Sequence, residues 1–288
     1  MYVLRGIDET KSFRFFAANT TQVVNDATSS HVTSPLASVA LGRTLSGVIL
    51  MSQMNKNPSD RVSVLIKGDG PIGGIIVEAN GMGDAKGYVY NPDVELPKNS
   101  KGMLDVSGAI GNAIMTVTKD TGLREPSVGQ TAMLSGEIAE DFADYFAISE
   151  QTNTAVILGV LIDKDHTIKQ AGGIIIQVLP EASDEAITEL ENKIKTFSSL
   201  TEHMEKGQTI EQIVEELLGN IEIMAKTDIA FKCDCCRERM ERALISLGKQ
   251  ELTSIVQDEQ EDIELVCHFC NSKYPFDKND IQYILDSI

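Results

Sequence analysis

Cysteine is missing from this 288-residue chain until Cys233. The five cysteines that the chain does contain fall in two short stretches near the C-terminus, FKCDCCRERM (231–240) and VCHFC (266–270). Thiol chemistry is therefore confined to the last fifth of the protein. In a reducing compartment, thiols clustered in this way are more often metal ligands or redox groups than structural disulfides.

Positive charge is also scarce. The chain has 25 lysines and arginines against 43 aspartates and glutamates, which gives a net charge of −18 and an isoelectric point near 4.6. Binding to nucleic acid depends on cationic side chains that neutralise phosphates, and binding to an anionic membrane surface depends on the same attraction. We therefore expect neither nucleic acid nor a membrane among the partners of this protein.

Neither a secretory leader nor a membrane-spanning run is recognisable in the sequence. The N-terminal stretch MYVLRGIDETKSFRFF has no apolar region and no cleavage site of the kind that a signal peptide carries. No apolar run reaches the length that is needed to cross a bilayer. The sequence thus predicts a cytoplasmic protein, in which free thiols stay reduced.

Composition and its changes along the chain predict an α+β protein in three parts. Hydrophobic residues make up 42% of the chain, which is enough for a sizeable core. Residues 1–179 are predicted to form an N-terminal domain of mainly antiparallel sheets with packed helices. Residues 180–230 are predicted to form an acidic helical linker, and residues 231–288 a small C-terminal domain that contains every cysteine of the chain.

The N-terminal part shows both strand and helix signals. Residues 34–54 predict a long helix, because Ser34 is a suitable N-cap and Pro35 stands at the favoured first helical position. Short β-branched runs bounded by turn residues predict strands. These runs are RVSVLIKG (61–68), YVY (88–90), AIMTVTKD (113–120), TAVILGVLI (154–162) and GGIIIQVLP (172–180).

The linker contains two segments with the pattern of amphipathic helices. Residues 183–200 and 209–219 repeat apolar residues at helical spacing, and the second segment opens with a capping box from Thr209 to Gln212 and closes on Gly219. Short helices of this kind are marginal by themselves and need an apolar surface to pack on. The pattern is compatible with a plain helical linker and with a segment poised between folded and unfolded states.

A catalytic motif is not recognisable. The glycine-rich GDGPIGG (68–74) lacks the Lys-Ser/Thr pair that follows the last glycine of a phosphate-binding loop, so a turn between two strands explains it better. No nucleophile motif accompanies the four histidines, which are scattered through unlike contexts (His31, His166, His203 and His268). The sequence predicts a protein that is not an enzyme.

Four of the cysteines form two thiol pairs, Cys233 with Cys235 and Cys267 with Cys270, in separate stretches of the chain. Four thiolates suit a tetrahedral Zn²⁺ ion, which has no redox chemistry of its own. A domain as short as 231–288 is too small for a comfortable core and needs such a staple. The sequence therefore predicts one zinc ion per chain in the reduced protein.

The neighbours of these two pairs leave alternatives open. His268 lies inside the second pair and is expected to point outward instead of binding metal. Tyr274 and Phe276 follow that pair, where their rings can cover the site. Cys236 is either a spare thiol or a competitor of Cys235 for the metal or for a disulfide.

A second function remains open at the same residues. The spacing of Cys267 and Cys270 is also that of a thiol–disulfide oxidoreductase. That chemistry requires the motif at a helix N-terminus after a strand, in a thioredoxin-like unit. The acidic, strand-poor context of this segment argues against it, and turnover of insulin disulfides would distinguish the two functions.

The chain resembles the bacterial heat shock protein thirty-three family. Two segments, FKCDCCRERMERALISLGKQEL (231–252) and VCHFCNSKYPF (266–276), are similar to the zinc switch of that family. The resemblance covers essentially the whole chain. Further similar segments, in the order of the family, are ALGRTL (40–45), GDGPIGGIIVEAN (68–80), GYVYNP (87–92), GLREPSVGQ (122–130), SGEIAEDFADYFAISEQ (135–151) and AGGIIIQVLP (171–180).

The resemblance implies a redox-regulated holdase chaperone that binds unfolding client proteins without ATP under oxidative stress. It implies that Cys233, Cys235, Cys267 and Cys270 bind zinc when reduced and pair on oxidation as Cys233–Cys235 and Cys267–Cys270. Release of zinc would then unfold the C-terminal domain and the linker, and residues 1–179 would bind clients and dimerise. Such proteins are homodimers when active and pass clients to ATP-dependent foldases. Cys236 stands where the family commonly has a small hydroxyl residue.

Overall fold

The computed structural model of the chain describes residues 1–257 and 262–288. The described residues form two compact units, Met1–Lys232 and Cys233–Ile288. The predicted linker, residues 180–230, belongs to the first of these units. The division of the chain into three parts therefore stays a prediction. The packing of the described residues gives two units, and the boundary between them falls just before Cys233.

Two sheets form the frame of the first unit. Its strands are β1 (Tyr2–Asp8), β2 (Phe13–Asn19), β3 (Arg61–Gly68), β4 (Gly74–Asn80), β5 (Asp84–Val89), β6 (Ala113–Asp120), β7 (Ser127–Met133), β8 (Thr154–Ile162), β9 (Ile168–Val178), β10 (Ile221–Asp228) and β11 (Ala230–Phe231). One sheet has the order β10-β1-β2-β9-β8 and the other has the order β11-β5-β4-β3-β6-β7. Every pairing is antiparallel except the short one between β11 and β5. The predicted α+β fold with mainly antiparallel sheets is confirmed.

Helices pack between and on these sheets. The helices of the first unit are α1 (Thr21–His31), α2 (Pro35–Ser52), α3 (Val106–Ile110), α4 (Ala139–Ser149), α5 (Asp184–Thr196), α6 (Leu200–Glu205) and α7 (Ile210–Leu218). Helix α2 contacts strands of both sheets and is the central element of the core. Ser34 caps it as predicted, because the Ser34 hydroxyl accepts a hydrogen bond from the backbone N–H of Ala37 at 3.2 Å.

Helix α2 corrects one expectation from the sequence. Its 18 residues are long and apolar enough to cross a membrane, although the sequence analysis found no run of that length. The structure places 89% of this stretch inside the fold, between the two sheets. Its apolar surface is therefore covered by protein, which is the environment of a core helix.

The strand predictions agree with the structure to different degrees. Strands β3, β6 and β8 have the predicted bounds, whereas the prediction at 88–90 overlaps only the end of β5 and the prediction at 172–180 misses the start of β9 at Ile168. The segment GDGPIGG runs from the end of β3 to the start of β4 and is a turn, as predicted. Gly83, in the next turn, adopts a φ of +92°, and a Cβ there would lie 2.0 Å from the carbonyl oxygen of Asp228.

The linker segment is more structured than its sequence pattern predicts. The capping box of α7 is confirmed, with the Thr209 hydroxyl accepting from the Gln212 N–H and the Gln212 side chain accepting from the Thr209 N–H. The predicted helix 183–200 instead ends at Thr196, and α6 follows it. Strand β10 is not predicted, because its strand conformation comes from pairing with β1, at the opposite end of this unit's chain.

Helices α5, α6 and α7 bury their apolar faces on the five-stranded sheet. The residues that meet there, called here the linker–sheet cluster, are Leu4, Phe13, Phe15, Ala17, Ile174 and Ile176 from the sheet, and Leu190, Leu200, Met204, Ile210, Ile213, Val214 and Leu217 from the helices. All of them are buried. The surface that these short amphipathic helices need is therefore a sheet face of the N-terminal part.

A polar contact at Tyr2 fastens the linker at the rim of this cluster. The Tyr2 hydroxyl donates to the carboxylate of Glu211 in α7, at 2.8 and 3.0 Å from its two oxygens. The Nζ atom of Lys226 in β10 lies 3.4 Å from the centre of the Tyr2 ring and 3.6 Å from Glu211. Burial, and then the hydrogen bond to Glu211, raise the pKa of Tyr2 to about 12. Burial opposes ionisation of Glu211, but its hydrogen bonds and Lys226 outweigh burial and lower its pKa.

Tyr2→Phe is expected to destabilise the first unit by about 1 kcal/mol at neutral pH, the net value of one hydrogen bond. Because the folded pKa of Glu211 is depressed, its contribution is present above the usual glutamate pKa and is lost as the pH falls through the folded pKa. Urea unfolding in a series from neutral pH down to about pH 2, well below the ordinary glutamate pKa, measures this loss. Tyr90→Phe, at an exposed tyrosine, is the control. A cost of Tyr2→Phe that stays the same across the whole series would contradict the assignment.

The second unit is small. Its elements are α8 (Arg237–Leu247), α9 (Lys249–Gln257), β12 (Asp262–Val266), β13 (Lys273–Asp277) and α10 (Lys278–Asp286). Strands β12 and β13 form an antiparallel hairpin. The buried residues of its core cluster, among those that the structure describes, are Leu244, Leu252, Phe276, Ile281 and Ile284. A core of this size supports a domain poorly by itself, as the sequence predicts.

Candidate metal centre

Two backbone segments carry the four cysteines of the two predicted pairs. Cys233 and Cys235 lie in the extended stretch that precedes α8, and Cys267 and Cys270 lie in the turn between β12 and β13. This turn is tightened by hydrogen bonds to the Cys267 carbonyl from the N–H groups of Cys270 (3.3 Å) and Asn271 (2.8 Å). The Cys267 N–H in turn donates to the Ser272 carbonyl at 2.9 Å, so the second pair stands on a closed hairpin.

The fold brings the four sulfur atoms together. All four Sγ atoms lie within 4.8 Å of one another. The Sγ atoms of Cys233 and Cys267 are 3.7 Å apart, and those of Cys235 and Cys270 are 3.4 Å apart. Four thiolates at about 2.3 Å from one tetrahedral ion would be about 3.8 Å from each other. The cluster therefore has the size and the donor set of a metal site, and four protein ligands leave no open position for water.

Burial and hydrogen bonding act differently on the four thiols. Burial raises the pKa of Cys233 and of Cys267. Burial acts in the same direction on Cys270, but hydrogen bonds from the hydroxyl and backbone of Ser272, together with Cys235, outweigh it and lower the pKa of Cys270 to about 7. The Tyr274 hydroxyl donates to the Cys235 Sγ at 3.1 Å, and this hydrogen bond raises the pKa of Tyr274.

Residues around the cluster hold its two halves in place. Arg237, at the start of α8, donates to the Pro275 carbonyl at 2.7 Å and pairs with Asp280 at 2.6 Å. Its guanidinium carbon lies 4.3 Å from the centre of the Phe276 ring. These contacts tie the segment that carries the first cysteine pair to the hairpin that carries the second. Neither this role of Arg237 nor that of Ser272 is predicted by the sequence, where only their closeness to cysteines marks them.

The structure separates the predicted ligands from their neighbours. Cys236 is exposed at the N-cap of α8, and His268 is exposed in the turn; neither belongs to the cluster in the part of the chain that the structure describes. Tyr274 contacts the site through its hydroxyl, which differs from the apolar cover that the sequence suggests. Phe276 is fully buried in the small core.

These features define a class of protein. It is an α+β protein whose helices cover one face of an antiparallel sheet, and whose C-terminal unit gathers four cysteines into a cluster able to hold a metal ion.

Comparison with known proteins gives the family. Residues 2–277 match the family model described as Hsp33 protein. Two curated relatives are both called 33 kDa chaperonin. The protein from Alkaliphilus oremlandii is 45% identical over 99% of this chain and 96% of its own length. The protein from Desulforamulus reducens is 42% identical over 100% of this chain and 98% of its own length. The crystal structure of the heat shock protein 33 homologue from Thermotoga maritima superposes with a TM-score of 0.92 at 35% identity, over 99% of this chain and 98% of that one. The chain belongs to the Hsp33 family of chaperones.

Proposed function

We propose that this protein is a redox-regulated, ATP-independent holdase that binds unfolding proteins and prevents their aggregation under oxidative stress. In this proposal Cys233, Cys235, Cys267 and Cys270 bind one Zn²⁺ ion per chain in the reduced protein. The observation that carries the proposal is the gathering of four Sγ atoms in a unit whose core is very small. Loss of the metal from such a unit removes its largest source of stability.

Oxidation of the thiols is the proposed trigger. A cysteine thiol loses its proton, and the thiolate attacks one oxygen of hydrogen peroxide; the O–O bond breaks, the departing hydroxide takes up that proton as water, and the sulfur becomes a sulfenic acid. The second thiol of the pair attacks that sulfur, which forms the S–S bond and releases a second water. Each disulfide thus consumes one peroxide, which is reduced to two waters while two thiols are oxidised. We propose the pairs Cys233–Cys235 and Cys267–Cys270, and sulfur atoms held in disulfides no longer bind zinc.

The proposed response extends from the C-terminal domain to the linker. Unfolding of residues 231–288 leaves the linker helices without the folded domain that follows them. These helices are short and acidic, so their stability depends on the linker–sheet cluster. Their release exposes an apolar sheet face and apolar helix faces, which can bury the exposed core residues of a client. The negative charge of the chain keeps this open form in solution.

The proposal also names the binding partners, the oligomeric state and the cellular location of the protein. Unfolded or partly folded clients bind to residues 1–179 and to the released linker, and the active form is a homodimer in the cytoplasm. Clients pass later to ATP-dependent foldases. No catalytic role is proposed for any residue. The alternative is a thiol–disulfide oxidoreductase that uses Cys267 and Cys270, whose spacing is that of such enzymes.

Suppression of client aggregation tests the proposal. A chemically unfolded client is diluted into buffer, and light scattering is followed with the protein either reduced and zinc-loaded or oxidised with peroxide at mildly raised temperature. We expect suppression by the oxidised form alone, and its loss after re-reduction in the presence of zinc. Equal suppression by both forms would mean that the cysteine cluster is only a structural staple. If neither form suppresses scattering, turnover of insulin disulfides decides for the oxidoreductase.

A further inference from the structure

A cavity of about 160 Å³ lies in the first unit, away from the cysteines, between the end of α2 and strands β1 and β10. This volume holds several waters or one small polyatomic ion. Arg5, Lys56 and Asn55 line it, and none of its described lining residues is acidic. In a chain with 43 acidic and 25 basic residues, such a surrounding is unusual and favours a negatively charged ligand.

Three donor groups around this cavity have no protein partner among the described residues, and one of them is buried. Arg5 and Lys56 are exposed at the mouth of the cavity, and neither makes a side-chain hydrogen bond or an ion pair with any residue in the ranges 1–257 and 262–288. The side-chain amide nitrogen of Asn55 is buried and has no hydrogen-bond partner within those same ranges. A buried donor left in this way is costly unless a ligand or water accepts from it. Two cations at the mouth and one buried amide donor together favour an anion whose oxygens accept hydrogen bonds from several sides.

The end of helix α2 does not cancel this preference. Its C-terminal carbonyls carry the negative end of the helix dipole, which is equivalent to roughly half an elementary charge. The carbonyls of Leu50, Met51 and Ser52 already accept hydrogen bonds from the turn that follows the helix. The two full positive charges of Arg5 and Lys56 exceed the charge at that end of the helix.

Strand β10 forms another wall of the cavity. Ala225 and Thr227 line it, and both belong to β10. The pairing of β1 with β10 shifts at this point, because Arg5 pairs with Ala225 and the next residue of β1 pairs with Ile223, which leaves Met224 as an extra residue. Bulges of this kind redirect side chains next to binding sites. An ion in the cavity therefore contacts β10 and the rest of the first unit at once.

We propose that this cavity binds a tetrahedral oxyanion of the phosphate class and that the bound anion fastens β10 to the first unit. Arg5 and Lys56 supply charge-assisted hydrogen bonds, and the Asn55 amide supplies a neutral one. Strand β10 lies in the linker whose release activates the chaperone, so the bound anion favours the resting form. This last consequence rests on the proposed function, whereas the binding site does not.

Titration of inorganic phosphate into the reduced, zinc-loaded protein tests the site. At constant ionic strength, calorimetry should show saturable binding of one phosphate per chain. The double variant Arg5→Gln/Lys56→Gln should bind at least about tenfold more weakly, because two charge-assisted hydrogen bonds are lost. Arg124→Gln/Lys164→Gln makes the same change in net charge at exposed residues elsewhere and should bind like the wild type. Parallel titrations of tripolyphosphate and a nucleoside triphosphate distinguish free phosphate from a terminal phosphate of a larger molecule.

Hydrogen exchange tests the anion site independently of the proposed chaperone function. Phosphate should slow exchange of the backbone amides of β10 (Ile221–Asp228) in the wild type and not in Asn55→Asp, where a carboxylate replaces the donor. Absence of saturable binding, or equal loss of binding in the control double variant, would overturn the site. Binding without protection of β10 would overturn the fastening. A further outcome is that the protein fails to suppress aggregation in a redox-regulated way and yet binds phosphate and shows slowed exchange in β10. In that case the binding site stands, and only its proposed effect on activation is overturned. Lys56→Gln and Asn55→Asp serve as single variants where the double variant does not fold.

Discussion

Replacement of Cys267 by serine is expected to abolish tight zinc binding and to unfold the C-terminal unit of the reduced protein. Cys267 is the one buried member of the cysteine cluster, 6% exposed, and its Sγ lies 3.7 Å from that of Cys233. Zinc contributes on the order of 10–16 kcal/mol to the folding of small zinc domains. Loss of a residue that merely supports a ligand lowers metal affinity by roughly 10–100-fold, so loss of a ligand should lower it by more than about 100-fold.

Competition with a chromophoric chelator measures the zinc affinity, and circular dichroism reports the helices of the C-terminal unit. Cys236→Ser is the matched control, since it removes a thiol that is exposed and outside the cluster. This control should keep one zinc per chain and the wild-type spectrum. Tight binding of zinc by Cys267→Ser would show that Cys236 or His268 completes the ligand set, contrary to the proposed four-cysteine site.

Replacement of Ile213 by alanine is expected to make the reduced, zinc-loaded protein an active holdase. Ile213 is fully buried in the linker–sheet cluster, and its truncation to alanine costs about 2–5 kcal/mol. Helix α7 has nine residues and depends on this packing, because a helix of that length is marginal in water. The cost is therefore expected to detach the linker helices from the sheet without oxidation of any cysteine.

Light scattering of an unfolded client, measured with the reduced variant, gives the activity, and hydrogen exchange of α7 shows whether the helix has detached. Glu215→Ala is the control, because Glu215 is exposed on the other side of the same helix and surface changes of this kind usually alter stability by less than about 0.5 kcal/mol. This control should stay inactive until it is oxidised. If the amides of α7 exchange freely in Ile213→Ala and the reduced protein still fails to suppress scattering, release of the linker does not activate the protein.

Local features of the fold were predictable where their cause lies within a few residues. The hydroxyl of Ser34 and the capping box from Thr209 to Gln212 act within one helical turn, and both are present as predicted. Strands β3, β6 and β8 are short runs rich in β-branched and apolar residues and bounded by turns, so their bounds agree with the sequence pattern. Gly73 of GDGPIGG likewise adopts a positive φ of +72° within its own turn.

Features whose cause lies far away in the chain were missed. Strand β10 is made by pairing with β1, and a charged segment such as IEIMAKTD carries no strong strand signal of its own. The contact of Tyr2 with Glu211 joins residues that are 209 positions apart. The contacts of Arg237 with Pro275 and Asp280 depend on how α8 packs in the small unit. No periodicity or spacing in the sequence reports such contacts.

The sequence by itself determined the kind of chemistry available to this protein. It confines all thiols to the stretch from Cys233 onward, supplies two closely spaced pairs for a soft metal ion, and sets a negative charge that disfavours nucleic acid. Only the tertiary structure decided that the two pairs converge within 4.8 Å, that Cys236 and His268 stay outside, and that the linker helices cover a sheet face. The physical reason is that ligand type and charge are properties of individual residues, whereas convergence and burial depend on contacts between segments far apart in the chain.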